Sequence, residues 1–123
     1  VTTIGNGAFN CCASLTSINM PDSVTTIEDW AFASCNSLTS ITIPSSVVTI
    51  IGNPFYDCKS LQSVTIPNSV KSIGYEAFSD CVSLQSVTIP NSVMIIGNGV
   101  FQNCTHLDEP SRLRLKELNY TQN

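Results

Sequence analysis

The sequence predicts a repeat solenoid, and three observations support this fold class. Phenylalanine recurs every 23 residues, and a cysteine follows three residues behind each one. The phenylalanines are Phe9, Phe32, Phe55, Phe78 and Phe101. The cysteines are Cys12, Cys35, Cys58, Cys81 and Cys104. A column of leucines keeps the same register at Leu15, Leu38, Leu61, Leu84 and Leu107. A strict period of this length marks units that stack on copies of themselves.

Each coil is predicted to contain one short parallel strand. The run at residues 61–70 (LQSVTIPNSV) recurs unchanged at 84–93. Within it, the alternation Val64-Thr65-Ile66 directs Val and Ile inward and Thr outward. The proline that follows has no N–H to donate, so it ends the strand at the same place in each coil. The return segment, with its Ile-Gly and Ala-Phe pairs, is too short for a long helix, so we expect turns there and little helix overall.

These columns resemble the BspA-like leucine-rich repeat, whose pattern reads L-x-x-[IV]-x-I-P-x-S-V-x-x-I-G-x-x-A-F-x-x-C. The match runs from residue 1 to about residue 107, with few departures, such as Glu28 and Ile51 in a glycine column and Pro54 in an alanine column. The resemblance implies a leucine-rich-repeat right-handed superhelix with a parallel sheet on one face. It also implies a cell-surface or extracellular protein used in adhesion, as in mucosal bacteria and parasitic protists.

The expected organisation is a solenoid of about five coils over residues 1–107, followed by a C-terminal cap or tail over 108–123. A linker to a further domain is the alternative for the last segment. Val1 aligns with Val24, so the chain starts in the middle of a repeat and is expected to be a fragment of a longer protein. Its first coil has no polar cap, and an open strand edge invites edge-to-edge self-association.

Composition excludes two classes of partner. Charged residues make up 11% of the 123 residues and the net charge is −4, so there is no basic stripe for nucleic acid. No apolar run approaches the 18 residues or so of a membrane span, so no membrane insertion is expected. Localisation at the cell surface rests on the resemblance alone, and the cytoplasm is the alternative.

The cysteine column predicts buried free thiols rather than disulfides or a metal site. Side chains in one column of a solenoid point the same way, which gives poor disulfide geometry. There is no Cys-x-x-Cys pair, and His106 is the single histidine, so neither zinc nor any other cofactor is expected. Cys11 lies outside the column and is expected to be accessible. No residue pairing supports a nucleophile or an acid–base couple, so no catalysis is expected.

Two sets of residues are candidates for binding. The first is a pair of outward ladders on the concave sheet, formed by Ser17, Asn19, Ser40, Thr42, Ser63, Thr65, Ser86 and Thr88. The alternative is that these are short neutral residues that keep a flat sheet soluble. The second set lies in loops and consists of Trp30, Tyr56 and Tyr75, since exposed aromatics are favoured interface anchors. Trp30 is equally compatible with lying over its neighbouring coil.

Two sequons, Asn103-Cys104-Thr105 and Asn119-Tyr120-Thr121, make Asn103 and Asn119 candidates for N-glycosylation in a eukaryotic secretory pathway. The buried column position of Cys104 argues against the first. The function that these observations predict is a non-catalytic module that binds protein or glycan partners through its solenoid surface. The alternative is a structural spacer or intracellular scaffold that stacks with other chains.

Overall fold

The computed structural model describes residues 2–118, and it confirms the solenoid. The chain forms about four turns of parallel β-structure and ends in one helix. The strands are β1 (Thr3–Ile4), β2 (Thr26–Ile27), β3 (Ser40–Thr42), β4 (Thr49–Ile50), β5 (Ser63–Thr65), β6 (Ser72–Ile73), β7 (Ser86–Thr88) and β8 (Ile95–Ile96). The helix, α1, spans Glu109–Glu117.

Two parallel sheets line the solenoid, so the expectation of one strand per coil is wrong. The five-stranded sheet has the order β1-β2-β4-β6-β8, and the three-stranded sheet has the order β3-β5-β7. Strands pair in a register of one repeat: Thr26 lies opposite Thr49, and Ser63 lies opposite Ser86. The additional strands are only two residues long. Their sequence signal is a pair of residues that ends in isoleucine, and it becomes a strand because the neighbouring coil supplies a similar pair in register.

Turns at two repeated positions hold the backbone in the left-handed region. One column precedes the buried cysteines and has φ values of 59–63° at Cys11, Ser34, Asp57, Asp80 and Asn103. A second column has φ values of 62–69° at Gly7, Trp30, Glu76 and Gly99. Glycine adopts this conformation without strain, whereas a residue with a side chain does not. Trp30 and Glu76 therefore occupy positions that the backbone alone would assign to glycine.

Phenylalanine rings form a continuous stack through the core. Ring centroids of successive coils lie 5.1–5.6 Å apart, and the ring planes deviate from parallel by only 2–5°. The rings of Phe32, Phe55, Phe78 and Phe101 are fully buried, while Phe9 in the first coil is half-buried. The register of the repeat thus places each large side chain on its own copy in the next coil.

The cysteine column forms a ladder of thiol hydrogen bonds beside the phenylalanine stack. The four buried thiols of the column each donate to the carbonyl oxygen of the phenylalanine of the preceding coil, as Cys58 does to Phe32 at 3.1 Å and Cys104 does to Phe78 at 3.1 Å. None of the six cysteines forms a disulfide, and four of them are buried. Burial raises the pKa of Cys35 to about 11 and that of Cys104 to about 12. Cys35 and Cys104 therefore stay protonated at neutral pH and serve as small hydrogen-bond donors in the core.

Helix α1 occupies the position of a further coil at the edge of β7. Asp108 caps the helix by accepting a hydrogen bond from the Ser111 amide at 3.0 Å, and proline occupies the first turn. The buried Ser111 hydroxyl accepts from the Val87 amide at 3.1 Å and donates to the Val87 carbonyl at 3.3 Å. The Arg114 guanidinium donates to the Ile89 carbonyl at 3.0 Å. Side chains of α1 thus take the hydrogen bonds that another strand would have made with β7.

Candidate interaction surfaces

The three-stranded sheet presents the Ser/Thr lattice, which we define as Ser40, Thr42, Ser63, Thr65, Ser86 and Thr88. The central residue of each strand, such as Val64, is buried, and the residues on either side of it point outward. Five members of the lattice are exposed, while Ser86 is half-buried. Register pairing aligns serine with serine and threonine with threonine across strands about 4.8 Å apart. The result is a regular array of uncharged hydroxyls.

Two of the predicted ladder residues do not join this lattice. Ser17 and Asn19 are exposed, but they lie in a segment of the first coil that forms no strand. In this coil, Asn19 and Met20 replace the Thr and Ile that the later strands carry, and asparagine is disfavoured in strands. The ladders therefore extend over three coils rather than four.

The loop aromatics lie on a segment of the coil that is separate from the Ser/Thr lattice. Trp30 is 40% exposed, and its ring meets that of Tyr56 in the next coil in an edge-to-face contact, with centroids 5.5 Å apart and planes at 66°. Tyr56 is half-buried, and Tyr75 is 61% exposed. Trp30 thus covers part of its neighbouring coil and still exposes a large apolar surface, and its role as an interface anchor stays a prediction.

Three carboxylates act on the Tyr56 hydroxyl, Asp80 most strongly, a feature that was not predicted from the sequence. A hydrogen bond to Asp80 and the charge of that carboxylate raise the pKa of Tyr56, and the charges of Asp57 and Glu76 add to the effect. The charged group of Lys59 lies 3.7 Å from a carboxylate oxygen of Asp57. One sequence signal could have indicated this feature: aspartate recurs one repeat apart, at residues 57 and 80, and the first of the two directly follows Tyr56.

The first of the two sequons, at Asn103, lies among the described residues. Asn103 is exposed, and its side-chain amide donates to the carboxylate of Asp80. The middle residue of its sequon, Cys104, is buried in the thiol ladder. Asn119 lies outside the described residues. Glycosylation at either asparagine remains a prediction.

Neither a metal site nor a membrane-spanning helix is found in the part of the chain that the structure describes. Residues 2–118 contain no group of three or more His, Cys, Asp or Glu side chains placed to share a metal ion. Over the same residues, no helix combines the length and the apolar character needed to cross a bilayer.

Comparison with known families identifies the repeat. The model of the BspA type leucine rich repeat region matches residues 1–111 in six copies. The chain belongs to this family. No curated protein matches the chain.

Solved structures of bacterial leucine-rich repeat proteins resemble this solenoid. A leucine rich repeat protein of T. pallidum is 34% identical with a TM-score of 0.92, and the match covers 100% of this chain and 57% of that one. A leucine-rich repeat protein of Bacteroides ovatus is 34% identical with a TM-score of 0.71, covering 87% of this chain and 34% of that one. A protein of Faecalibacterium prausnitzii described as a leucine rich cell surface protein is 30% identical with a TM-score of 0.56, covering 88% of this chain and 42% of that one. The chain thus spans from about a third to just over half the length of these neighbours.

Proposed function

We propose that this protein is a non-catalytic binding module of a cell-surface or secreted protein, which recognises a protein or glycan partner through its solenoid surface. The observation that carries the proposal is the Ser/Thr lattice, a regular array of mostly exposed hydroxyls on a parallel sheet. Membership of the BspA-type family supports it, as does the likeness to a neighbour described as a leucine rich cell surface protein.

The physical basis is the fixed spacing of the hydroxyls. Each hydroxyl can both donate and accept a hydrogen bond, and the strands that carry the hydroxyls are held by a fully packed core. A partner therefore meets groups that are already in place, which reduces the entropy lost on binding. The lattice carries no charge, so its contacts would be less sensitive to salt than those of a charged surface.

A triple substitution tests the lattice as the binding surface. A screen of host proteins and glycans first identifies a partner for the wild-type chain. The variant Thr42→Lys/Thr65→Lys/Thr88→Lys should then lose binding while its circular dichroism stays unchanged, because lysines would cover the hydroxyl array.

The matched control adds the same three charges in another column. Thr25→Lys/Val48→Lys/Met94→Lys places lysine at exposed positions of a column in which Lys71 already occurs, so the fold should accept it. Binding by the control but not by the lattice variant supports the proposal. Binding by both variants would show that the partner contacts another face.

One observation favours a second candidate function, a structural element that stacks with other chains. In the second coil, the carbonyl oxygens of Asp29, Ala31 and Ala33 accept hydrogen bonds from the first coil. The corresponding carbonyls, at residues 6, 8 and 10, accept none from the described residues. Acceptors of this kind can pair with another backbone, which is either a preceding coil of the same protein or a second chain. Light scattering over a hundredfold range of concentration distinguishes the two functions: a stacking element forms oligomers as concentration rises, whereas a monomeric binding module does not.

A further inference from the structure

We propose that the aromatic corner, which we define as Trp30 and Tyr56 with the carboxylates of Asp57, Glu76 and Asp80, binds arginine or lysine side chains of a partner protein. This inference rests on the proposed function as a binding module. It adds a contact region on a segment outside the Ser/Thr lattice, and it specifies a cationic partner.

The placement of Trp30 supports a role beyond stability. Its position has a φ of 62°, and the equivalent positions in the first and last coils are Gly7 and Gly99. Glycine suits this conformation better than an aromatic residue. The tryptophan also leaves 40% of its surface in water despite its contact with Tyr56. Tryptophan and tyrosine are the residues most often found at the energetic centre of protein interfaces.

Charge determines the kind of partner. Asp57 directly follows Tyr56, and Asp80 takes the equivalent place in the next coil, whose Ser79 carbonyl accepts from the Asp57 amide at 2.8 Å. The Asp57 carboxylate accepts from the Ser34 hydroxyl at 3.2 Å, and the Asp80 carboxylate accepts from the Asn103 amide. The one cation paired with these carboxylates in the described residues is Lys59, which lies against Asp57. An arginine side chain can stack on an aromatic ring and donate hydrogen bonds to a carboxylate at the same time. The corner offers both kinds of group side by side.

A neutral sugar fits the corner less well. The Trp30 and Tyr56 rings meet at 66°, so they do not form one flat platform on which a pyranose ring would stack. Carboxylates only accept hydrogen bonds, whereas a sugar hydroxyl both donates and accepts. The cationic side chain is therefore the occupant that the geometry and the charge favour.

The experiment uses Trp30 as its own reporter, because it is the single tryptophan of the chain. The probe is a peptide in which arginine and glycine alternate, with a glutamate–glycine peptide as its opposite-charge control and maltopentaose as a neutral sugar. We expect a saturable change of Trp30 emission with the arginine peptide alone. The dissociation constant should rise with added salt, since the contact is electrostatic.

Two variants introduce residues that other coils already carry at the equivalent positions, so they should change binding without unfolding the chain. Asp80→Asn removes a charge at a position where the last coil carries Asn103 with the same φ, and it should weaken binding at least fivefold. Trp30→Gly places the residue of Gly7 and Gly99 at that turn, and a fluorescently labelled arginine peptide should no longer bind this variant. Asp22→Asn removes the same charge from an exposed turn in another segment and should bind as the wild type does.

Each contrary outcome overturns the inference. Equal weakening by Asp80→Asn and Asp22→Asn would mean that net charge alone attracts the peptide. Wild-type affinity in Trp30→Gly would remove the aromatic ring from the contact. A response to maltopentaose alone, or to none of the probes, would refute a cationic partner at this corner. None of these results bears on the Ser/Thr lattice, which its own lysine variants test separately.

Discussion

Replacing Phe55 by alanine should destabilise the protein more than the same change at Phe9, because the two rings lie at different depths in one stack. Phe55 is fully buried and stacks on rings 5.5 Å and 5.1 Å away. Removing a buried phenylalanine costs about 3–5 kcal/mol through lost transfer free energy and the cavity left behind. Each stacked pair adds roughly 0.5–1.5 kcal/mol, which places Phe55→Ala near the upper end, at about 5 kcal/mol.

Phe9 provides the comparison within the same column. It is half-buried and stacks on a single ring at 5.3 Å, so Phe9→Ala should cost roughly half as much, about 2 kcal/mol. Urea denaturation followed by circular dichroism measures both variants against the wild type. Equal losses of unfolding free energy at the two positions would refute the reasoning, since they would show that the first coil is packed as tightly as the interior.

Four further predictions concern the reactivity of the thiols, the pH dependence of stability, the helix and the glycines. In the native state, Cys11 should react with a thiol reagent much faster than the buried column, and denaturant without reductant should expose at least five reactive thiols; two or fewer would contradict free cysteines. Burial raises the pKa of Cys35 from its ordinary 9.0 to about 11, so the unfolded chain loses this proton at a lower pH than the folded protein does. The unfolding free energy measured by urea titration should therefore fall between pH 9 and pH 11. Below pH 9, this group should not change the unfolding free energy. Ser111→Ala should lower the unfolding free energy by about 1–3 kcal/mol in the same urea titration, because it leaves buried backbone groups of β7 without a hydrogen-bond partner. An unchanged midpoint of urea unfolding would show that water replaces the hydroxyl. Gly97→Ala places its Cβ in a clash with the backbone nitrogen of Tyr75 in the preceding coil and should lower the melting temperature. Gly5→Ala meets only a side-chain oxygen at 3.9 Å and should not. Equal melting temperatures would contradict the close approach at Gly97.

The features that could be predicted are those in which a residue repeats and its neighbours repeat with it. Identical side chains at one spacing can all be buried only if successive coils place them over one another, which is why the phenylalanine stack and the strand of Val64 could be predicted. The two-residue strands such as Thr26–Ile27 could not be predicted, because so short a run shows no alternation of inward and outward residues. The prediction that Asn19 belongs to a ladder was wrong, because the repeat position is present there but the strand is not.

The candidate site was only partly predictable for the same reason. The outward direction of Thr42 and Thr65 follows from strand alternation, and the structure places both on the lattice. The contact of Trp30 with Tyr56 and the carboxylates around the Tyr56 hydroxyl join residues of different coils, at turn positions whose composition varies from coil to coil. No pattern within one repeat indicates such a contact.

The 23-residue period alone determined the solenoid, its register and its buried columns, because every interior coil meets the same neighbours. The tertiary structure determined the arrangement of the first and last coils, which do not have a copy on both sides in this chain. At the first coil, the backbone carbonyls of residues 6, 8 and 10 accept no hydrogen bond from the described residues, and Phe9 stays half-buried. At the last coil, α1 replaces a strand with the side chains of Ser111 and Arg114. The physical reason is that a repeat specifies how one coil fits its copy, whereas the ends of the stack and its surface contacts depend on groups that are not copies.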